Sequence, residues 1–244
     1  MDNMLNEIDR LKKELIELKA RHKNIKNVDE DFQIKYIYNS NAIEGNTLTL
    51  KETKIVLEGI TIGGKTLREH FEVINHAEAI FYIEDMVKNK EELSEYGIKA
   101  IHNLILKNID NENAGRYRNQ NVIISGAEHI PPDFILVPEK MEEFINWYKT
   151  CNNIHPVLKA AKVHVDFIEI HPFIDGNGRV SGLIMNLELL KNGYQAVNIK
   201  NDKKLEYYEA LDTAHCHNDY SPFYKLIAEY ELERLKEITA LYNR

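Results

Sequence analysis

The 244-residue chain predicts an all-α fold carrying one short β-hairpin. Three observations lead there. Apolar residues recur at three- and four-residue steps through most of the chain, as one face of a helix requires. Helix start and stop signals bound those stretches. A single run, Val122, Ile123 and Ile124 before Ser125 and Gly126, has the residue types of a strand and a turn.

Met4, Ile8, Leu11, Leu15 and Leu18 form the first apolar seam, on a helix otherwise covered by Lys and Glu. The seam is too short for a stable isolated coiled coil, so it either docks on its own domain or makes a homotypic contact. Residues 31–43 carry Phe32, Ile34, Tyr36, Ile37 and Tyr38 and stop at Glu44, because Gly45 and Asn46 both tolerate a left-handed C-cap. Thr49 and Glu52 have capping-box spacing and start a helix that ends near Gly59. After the glycine turn in "TIGGKT", a helix over about 67–86 is expected to turn Phe71, Ile74, Ala77, Ile80 and Phe81 inward. Another covers roughly 94–107, with Ser94 or its predecessor as N-cap.

Between 111 and 138 the pattern changes, and the hairpin is expected here. Helices return over 139–149 and 155–170, the second with Val157, Ala160, Ala161, Val163, His164, Phe167 and Ile168 on a broad buried face. Residues 179–190, about 203–216 and about 222–241 complete the array. No repeat or low-complexity tract interrupts it, and the sole linker is at 22–30. The expected organisation is an N-terminal amphipathic helix and connector at 1–29, followed by one domain at 30–244.

With 31 basic and 39 acidic side chains the formal charge is -8, which gives no global attraction to a polyanion and removes nucleic acid as a default partner. Cys151 and Cys216 are too few for a disulfide framework and favour a reducing compartment. The N-terminus has acids from its second residue, and no apolar run approaches the length of a bilayer span. The expectation is a soluble cytoplasmic protein that meets no membrane.

The chemistry concentrates in "HPFIDGNGR", His171 to Arg179. Gly176 and Gly178 let successive backbone amides converge, and the helix that follows adds its free N–H groups, so the loop reads as an anion nest. Arg179 adds a forked donor suited to phosphate oxygens. Asp175 beside a bound polyphosphate makes sense if a hard cation bridges the two, and Mg²⁺ held by one carboxylate plus phosphates is the ordinary arrangement. A neutral His171 near the phosphates can take a hydroxyl proton. Phe173 alternates away from these groups to anchor the loop, Pro172 helps fix the His171 backbone, and Asn177 either supports the turn or hydrogen-bonds an oxygen. Each feature alone has an ordinary structural explanation; one geometry uses all of them.

This nine-residue stretch resembles the signature loop of the Fic domain family. The resemblance extends to "HPVLKAAKVHVDFIEI" before it, "GLIMNLELLKNGY" after it and "GRYR" at 115–118, and so runs from about residue 30 onward. It implies a helical core with the loop at its centre and a hairpin flap. It also implies ATP with Mg²⁺, or Mn²⁺ in its place, and transfer of AMP to a Tyr, Thr or Ser hydroxyl of a protein, itself included, with release of pyrophosphate. By position, His171 resembles the base, Asp175 the cation ligand, Gly176, Asn177 and Gly178 the anion hole, and Arg179 the phosphate-gripping arginine. Phe173 belongs to the same nucleotide-binding loop.

The resemblance further places Tyr207 and Tyr208 near the adenine and ribose, although adjacent helix positions turn only one of them to the pocket. Val122, Ile123 and Ile124 resemble the flap that adds a strand edge to the target. Compact members are often dimers, which implies a homodimer through the first seam or an apolar surface on the early helices. Two other functions stay open: removal of AMP from a modified protein, with Glu44 orienting water, and nucleotide binding without transfer. His215, Cys216 and His217 lack the spacing of a metal motif, and His155 and His164 read as packed residues behind the loop.

"SNAIEGN", Ser40 to Asn46, resembles the family's inhibitory motif, placed before the core on a helix near 31–44. Ser40 and Glu44 lie one turn apart and share a face. The family's glutamate pairs with a second arginine three positions after the first. Here that position is Gly182. Without a guanidinium to receive it, Glu44 is expected to inhibit weakly.

Overall fold

The computed structural model describes residues 1–21 and 28–243, in which ten α-helices are joined by short loops and one long irregular segment. α1 (Asp2–Arg21) lays its seam on α10 (Ser221–Tyr242), burying Leu5, Ile8, Leu11 and Leu15. Of its two expected uses, docking on its own chain is the one seen. Two polar ties fix the register: Tyr194 Oη donates to Asp9 Oδ1 at 2.6 Å and Lys12 Nζ to the Asn192 carbonyl at 2.6 Å. Within the expected connector, residues 22–27 lie outside the described residues.

α2 (Val28–Ile43) ends just before Glu44, and Gly45 takes a positive φ of 99° as the stop signal required. α3 (Leu50–Leu57) opens on the Thr49/Glu52 capping box, and α4 (Leu67–Lys88) on a second one made by Thr66 and Glu69. α5 (Glu95–Leu106) is capped by Ser94, whose Oγ accepts from Gly97 N at 3.1 Å. After the irregular segment come α6 (Val137–Thr150), α7 (Pro156–Ile170), α8 (Asn177–Lys191) and α9 (Lys204–His217).

α8 is the axis of the fold. Its residues 179–189 are buried on every side, the condition of a helix with partners all round. α7 runs back along it through the loop, while α2, α4 and α5 cover its other flanks. One apolar cluster joins α4, α5 and α6 to the α7–α8 pair, and a second joins that pair to α1, α9 and α10. Two of the polar residues buried on α8 are satisfied within the core: Asn186 exchanges bonds of 2.9 and 3.0 Å with the Val197 backbone, and Glu188 accepts from Tyr148 Oη at 2.6 Å.

Two expectations are corrected. The β-hairpin flap is absent: among the described residues there is no β-strand, and Val122, Ile123 and Ile124 run as irregular chain. The Ser125-Gly126 turn does form, with Ala127 N bonded to the Ile124 carbonyl at 3.2 Å. The returning arm, however, contains Pro131 and Pro132, which have no N–H to donate to a ladder. The two arms are tied by side chains instead, Arg118 reaching the Pro132 carbonyl and Asn121 reaching Asp133 and Phe134.

The face of α4 is the second correction. Ile80 is buried as expected, but Ile74 and Phe81 are exposed, and Asn75 and His76 point inward. Asn75 earns its burial by donating to the Ile105 and Lys107 carbonyls at 3.1 and 2.6 Å, so it closes the C-terminal end of α5. Among the described residues no helix is long and apolar enough to cross a membrane.

Candidate active site

α7 stops at His171, which adopts φ 50°, ψ 57° and thereby turns the chain into the loop. A non-glycine residue in this left-handed region costs on the order of 1 kcal/mol or more, so its surroundings must hold it. Arg118 supplies the hold. Its Nε donates to the His171 carbonyl at 2.9 Å, its Nη1 to the Gln120 carbonyl at 3.1 Å and its Nη2 to the Pro132 carbonyl, while its backbone N donates to the Pro172 carbonyl at 2.9 Å. One buried guanidinium therefore pins the start of the loop and both arms of the irregular segment. Arg118→Ala should destabilise the fold by about 2–4 kcal/mol in urea unfolding, because the carbonyls lose charge-assisted donors together, and Arg118→Lys should recover little, since an ammonium lacks the fork.

Downstream, Asn177 closes the loop on itself: Oδ1 accepts from Phe173 N at 3.0 Å and Nδ2 donates to Phe173 O at 2.8 Å. Its amide is thus spent on the turn. Phe173 is fully buried and stacks on His102, with ring centroids 3.6 Å apart and planes 4° from parallel. His102 Nδ1 accepts from Gly115 N at 2.9 Å, so its other nitrogen carries the proton and donates to the Asp175 carbonyl at 3.0 Å. Gly176 has φ 79°, and a Cβ there would lie 3.2 Å from Ile105. Both conformation and space require glycine.

His171, Asp175, Gly176, Asn177 and Gly178 line one cleft of about 440 Å³, together with Ile123, Ile124, Glu44, Lys204, Tyr207 and Tyr208. Both tyrosines line it despite being adjacent in sequence. They differ in what is left to offer: the Tyr207 hydroxyl bonds His164 Nε2 at 2.9 Å, whereas Tyr208 is half-buried with its hydroxyl 3.5 Å from the Ile43 carbonyl. Phe173 sits beneath the loop, Val122 does not reach the cleft, and Ser40 lines a small neighbouring cavity between α2 and α8.

Burial pushes the His171 imidazole down to about 4, so it is neutral at physiological pH. Its Nδ1 is buried without a partner among the described residues, which leaves Nε2 to the cleft. For Asp175, burial opposes the charge, but Arg179 and Arg68 outweigh it and hold the carboxyl below its ordinary range. Its Oδ1 accepts from Gly176 N at 2.5 Å and from Arg179 Nη2 at 3.1 Å, and Arg68 Nη2 bonds Oδ2.

Arg179 is buried with Nε and Nη1 unpartnered among the described residues, and Glu72 Oε1 is 3.9 Å from Nη1. An enclosed guanidinium with free donors, at the first turn of a helix, fits an anionic guest. Glu44 approaches the same place: a Cβ on residue 178 would lie 2.0 Å from its Oε1. Only glycine at 178 admits it. Among the described residues no cation lies within 4.0 Å of the Glu44 carboxylate, and a Cβ at 182 would meet the Tyr36 hydroxyl at 3.0 Å. Tyr36 of α2 thus fills the space above Gly182.

A neutral imidazole and a helix N-terminus on one cleft, with a buried arginine bonded to the Asp175 that lines it, are the equipment of a site that handles phosphate esters. The comparisons carry this further. The family described as Fic/DOC matches residues 92–189. The protein adenylyltransferase Fic of Nematostella vectensis is 35% identical over 229 residues, covering 92% of this chain and 53% of that protein, and its Drosophila grimshawi counterpart is 35% identical over 209 residues, covering 84% and 42%. Among solved structures, Fic-1 of C. elegans superposes with a TM-score of 0.86 at 28% identity over 98% of this chain and 72% of that one. A Fic domain containing signaling protein of Bacteroides thetaiotaomicron gives 0.85 at 26% identity over 97% of each. Residues 92–189 form a Fic/DOC family domain. The chain spans about half the length of the curated relatives it matches.

Sequence reasoning missed His102 and the work of Arg118. His102 had a signal, since it lies on the apolar face of α5 defined by Ile98, Ile101 and Ile105. Arg118 was visible only as part of "GRYR", with nothing local to mark it as a carbonyl clamp.

Proposed function

We propose that this chain transfers AMP from ATP to a hydroxyl side chain of a protein. The observation that carries the reading is the buried Arg179 guanidinium, with Nε and Nη1 unpartnered among the described residues and Nη2 on Asp175, which lines the same cleft as the neutral His171. The acceptor hydroxyl enters beside His171, whose Nε2 takes its proton as the oxygen attacks the α-phosphorus. The bond to the bridging oxygen breaks and pyrophosphate leaves. Arg179 and the amides at the start of α8 hold the phosphate oxygens as charge shifts among them, and the half-buried Tyr208 flanks the nucleoside side of the cleft.

Asp175 is the carboxylate that would hold Mg²⁺ or Mn²⁺, and the cation supplies neutralisation of phosphate charge when bound. The residues fit that role in number, since one carboxylate plus phosphates suffices for Mg²⁺. The partner is a protein substrate, with the chain itself as one acceptor, and the backbone of Ile123, which lines the cleft and has no backbone hydrogen bond among the described residues, supports recognition of that substrate through main-chain groups. Free Cys151 and Cys216 support a reducing, cytoplasmic setting. Incubation with Mg²⁺ and ATP labelled at the α-phosphate should label the chain or a lysate protein; retention of all label as nucleotide would contradict transfer.

Glu44 acts as a weak inhibitor in this reading. Its carboxylate lies where a phosphate oxygen would meet the start of α8, but it has no guanidinium at 182 to hold it there. A carboxylate at a helix N-terminus contributes about 0.3–1 kcal/mol, which corresponds to roughly two- to fivefold in rate. Glu44→Gly should therefore raise transfer by about that factor, and stimulation above about 100-fold would contradict it. Restoring arginine at 182 needs room, because Tyr36 is in the way. The double variant Tyr36→Ala, Gly182→Arg should lower transfer when Glu44 is present, and less so when Glu44 is Gly.

A homodimer is proposed through α4 rather than α1, whose seam is occupied. Leu67, Ile74 and Phe81 are seven residues apart and 70%, 36% and 63% exposed, a stripe on one helix face. Light scattering over a concentration series should show a dimer that Leu67→Asp dissociates; a concentration-independent monomer in the unaltered chain would contradict it.

A further inference from the structure

Arg68, the second residue of α4, puts its Nη2 on Asp175 Oδ2 and its Nε 3.1 Å from Glu72 Oε1. Its side chain is 55% exposed, so these two carboxylates rather than packing set its position. The other oxygen of Asp175 is already engaged by Gly176 N and Arg179 Nη2. Glu72 is engaged as well, with Oε1 on Arg68 and Oε2 accepting from Asn46 Nδ2 at 2.8 Å. Oδ2 of Asp175 is consequently the oxygen a divalent ion would take, and a guanidinium is on it.

We propose that Arg68 is a resident counter-cation that competes with the divalent metal for Asp175, so that the metal enters with its nucleotide rather than alone. The inference rests on the reading of Asp175 as the metal-holding carboxylate. Two cations on one carboxylate oxygen repel strongly at contact distance, so the metal must evict Arg68. A bare ion leaves the evicted guanidinium with one carboxylate, Glu72, and a net positive excess at the site. A nucleotide polyphosphate brings acceptor oxygens and negative charge for both cations at once. Arg68 is a positioning residue in this scheme, and it makes cation binding conditional on nucleotide.

The test is a titration with Mn²⁺ alone, followed by the paramagnetic resonance of the free ion, on the unaltered chain, Arg68→Ala and Arg68→Gln, each with and without Asp175→Ala. Circular dichroism checks that every variant is folded, and the Gln variant carries the comparison should the Ala variant be unstable. Both Arg68 variants should bind Mn²⁺ about tenfold more tightly than the unaltered chain. Asp175→Ala should abolish that gain, and a non-hydrolysable ATP analogue should narrow it. Equal Mn²⁺ affinity in the unaltered chain and both Arg68 variants, with Asp175→Ala weakening all three, would overturn the competition while leaving Asp175 as the ligand. Affinity that ignores Asp175 in every background would overturn both.

Discussion

His171→Ala should lower AMP transfer by about 10²–10⁴-fold, the range for loss of a positioned general base, while ATP affinity changes by less than about twofold, since imidazole adds little to the grip on phosphate. The structure supplies the physical reason. Burial holds the ring neutral down to about pH 4, so it is in its proton-accepting form throughout the physiological range. A second signature follows from the same shift. Protonation disables a base, so the acid limb of kcat/KM lies near the depressed value, and the profile should stay level as pH falls from about 8 to about 5.5. A limb centred near the ordinary histidine value of about 6.5 would show that the ring is not enclosed as described. Transfer by the alanine variant at an undiminished rate would remove His171 from the chemistry altogether.

Arg179→Ala should have the opposite balance, with its main effect on nucleotide binding. Two buried donors have no partner among the described residues, and each charge-assisted hydrogen bond they would make to phosphate contributes about 1.5–3 kcal/mol, so loss of the side chain should weaken ATP by about 10²-fold or more in calorimetric titration. Arg179→Lys should restore only part of this, because an ammonium cannot present two donors in one plane. The variant also removes one of the two donors on Asp175 Oδ1, leaving Gly176 N, so Asp175 should lose part of its downward shift. An unchanged ATP affinity in Arg179→Ala would place the phosphate elsewhere.

Much of this site was legible because the loop is local. His171, Asp175, Gly176 and Gly178 stand within eight residues, and the chemistry of an anion nest depends on backbone conformation that glycine spacing announces. The helices were legible for a similar reason: caps such as Thr49 with Glu52 act over three residues, and the structure finds that box in place.

What escaped was decided at long range. Val122 to Ile124 has strand-forming residues, yet a strand needs a partner, and Pro131 with Pro132 denies donors to the arm that returns. The inward face of α4 was misjudged at Ile74 and Phe81 because Asn75 finds the open carbonyls of α5, which no periodicity reports. Arg118 and His102 hold the loop from 53 and 73 residues away. Tyr36 over Gly182 belongs to the same class: the missing arginine was readable, but not that α2 had moved an aromatic ring into its place.

Transfer of AMP through His171 is tested most directly by double labelling. The chain is incubated with Mg²⁺ and ATP carrying one label at the α-phosphate and another at the γ-phosphate, and both labels are followed on protein and in released pyrophosphate. The structure predicts α-label on protein, γ-label in pyrophosphate in equal molar amount, and neither product with His171→Ala. Gamma-label on protein, or α-label incorporated equally by the alanine variant, would contradict it.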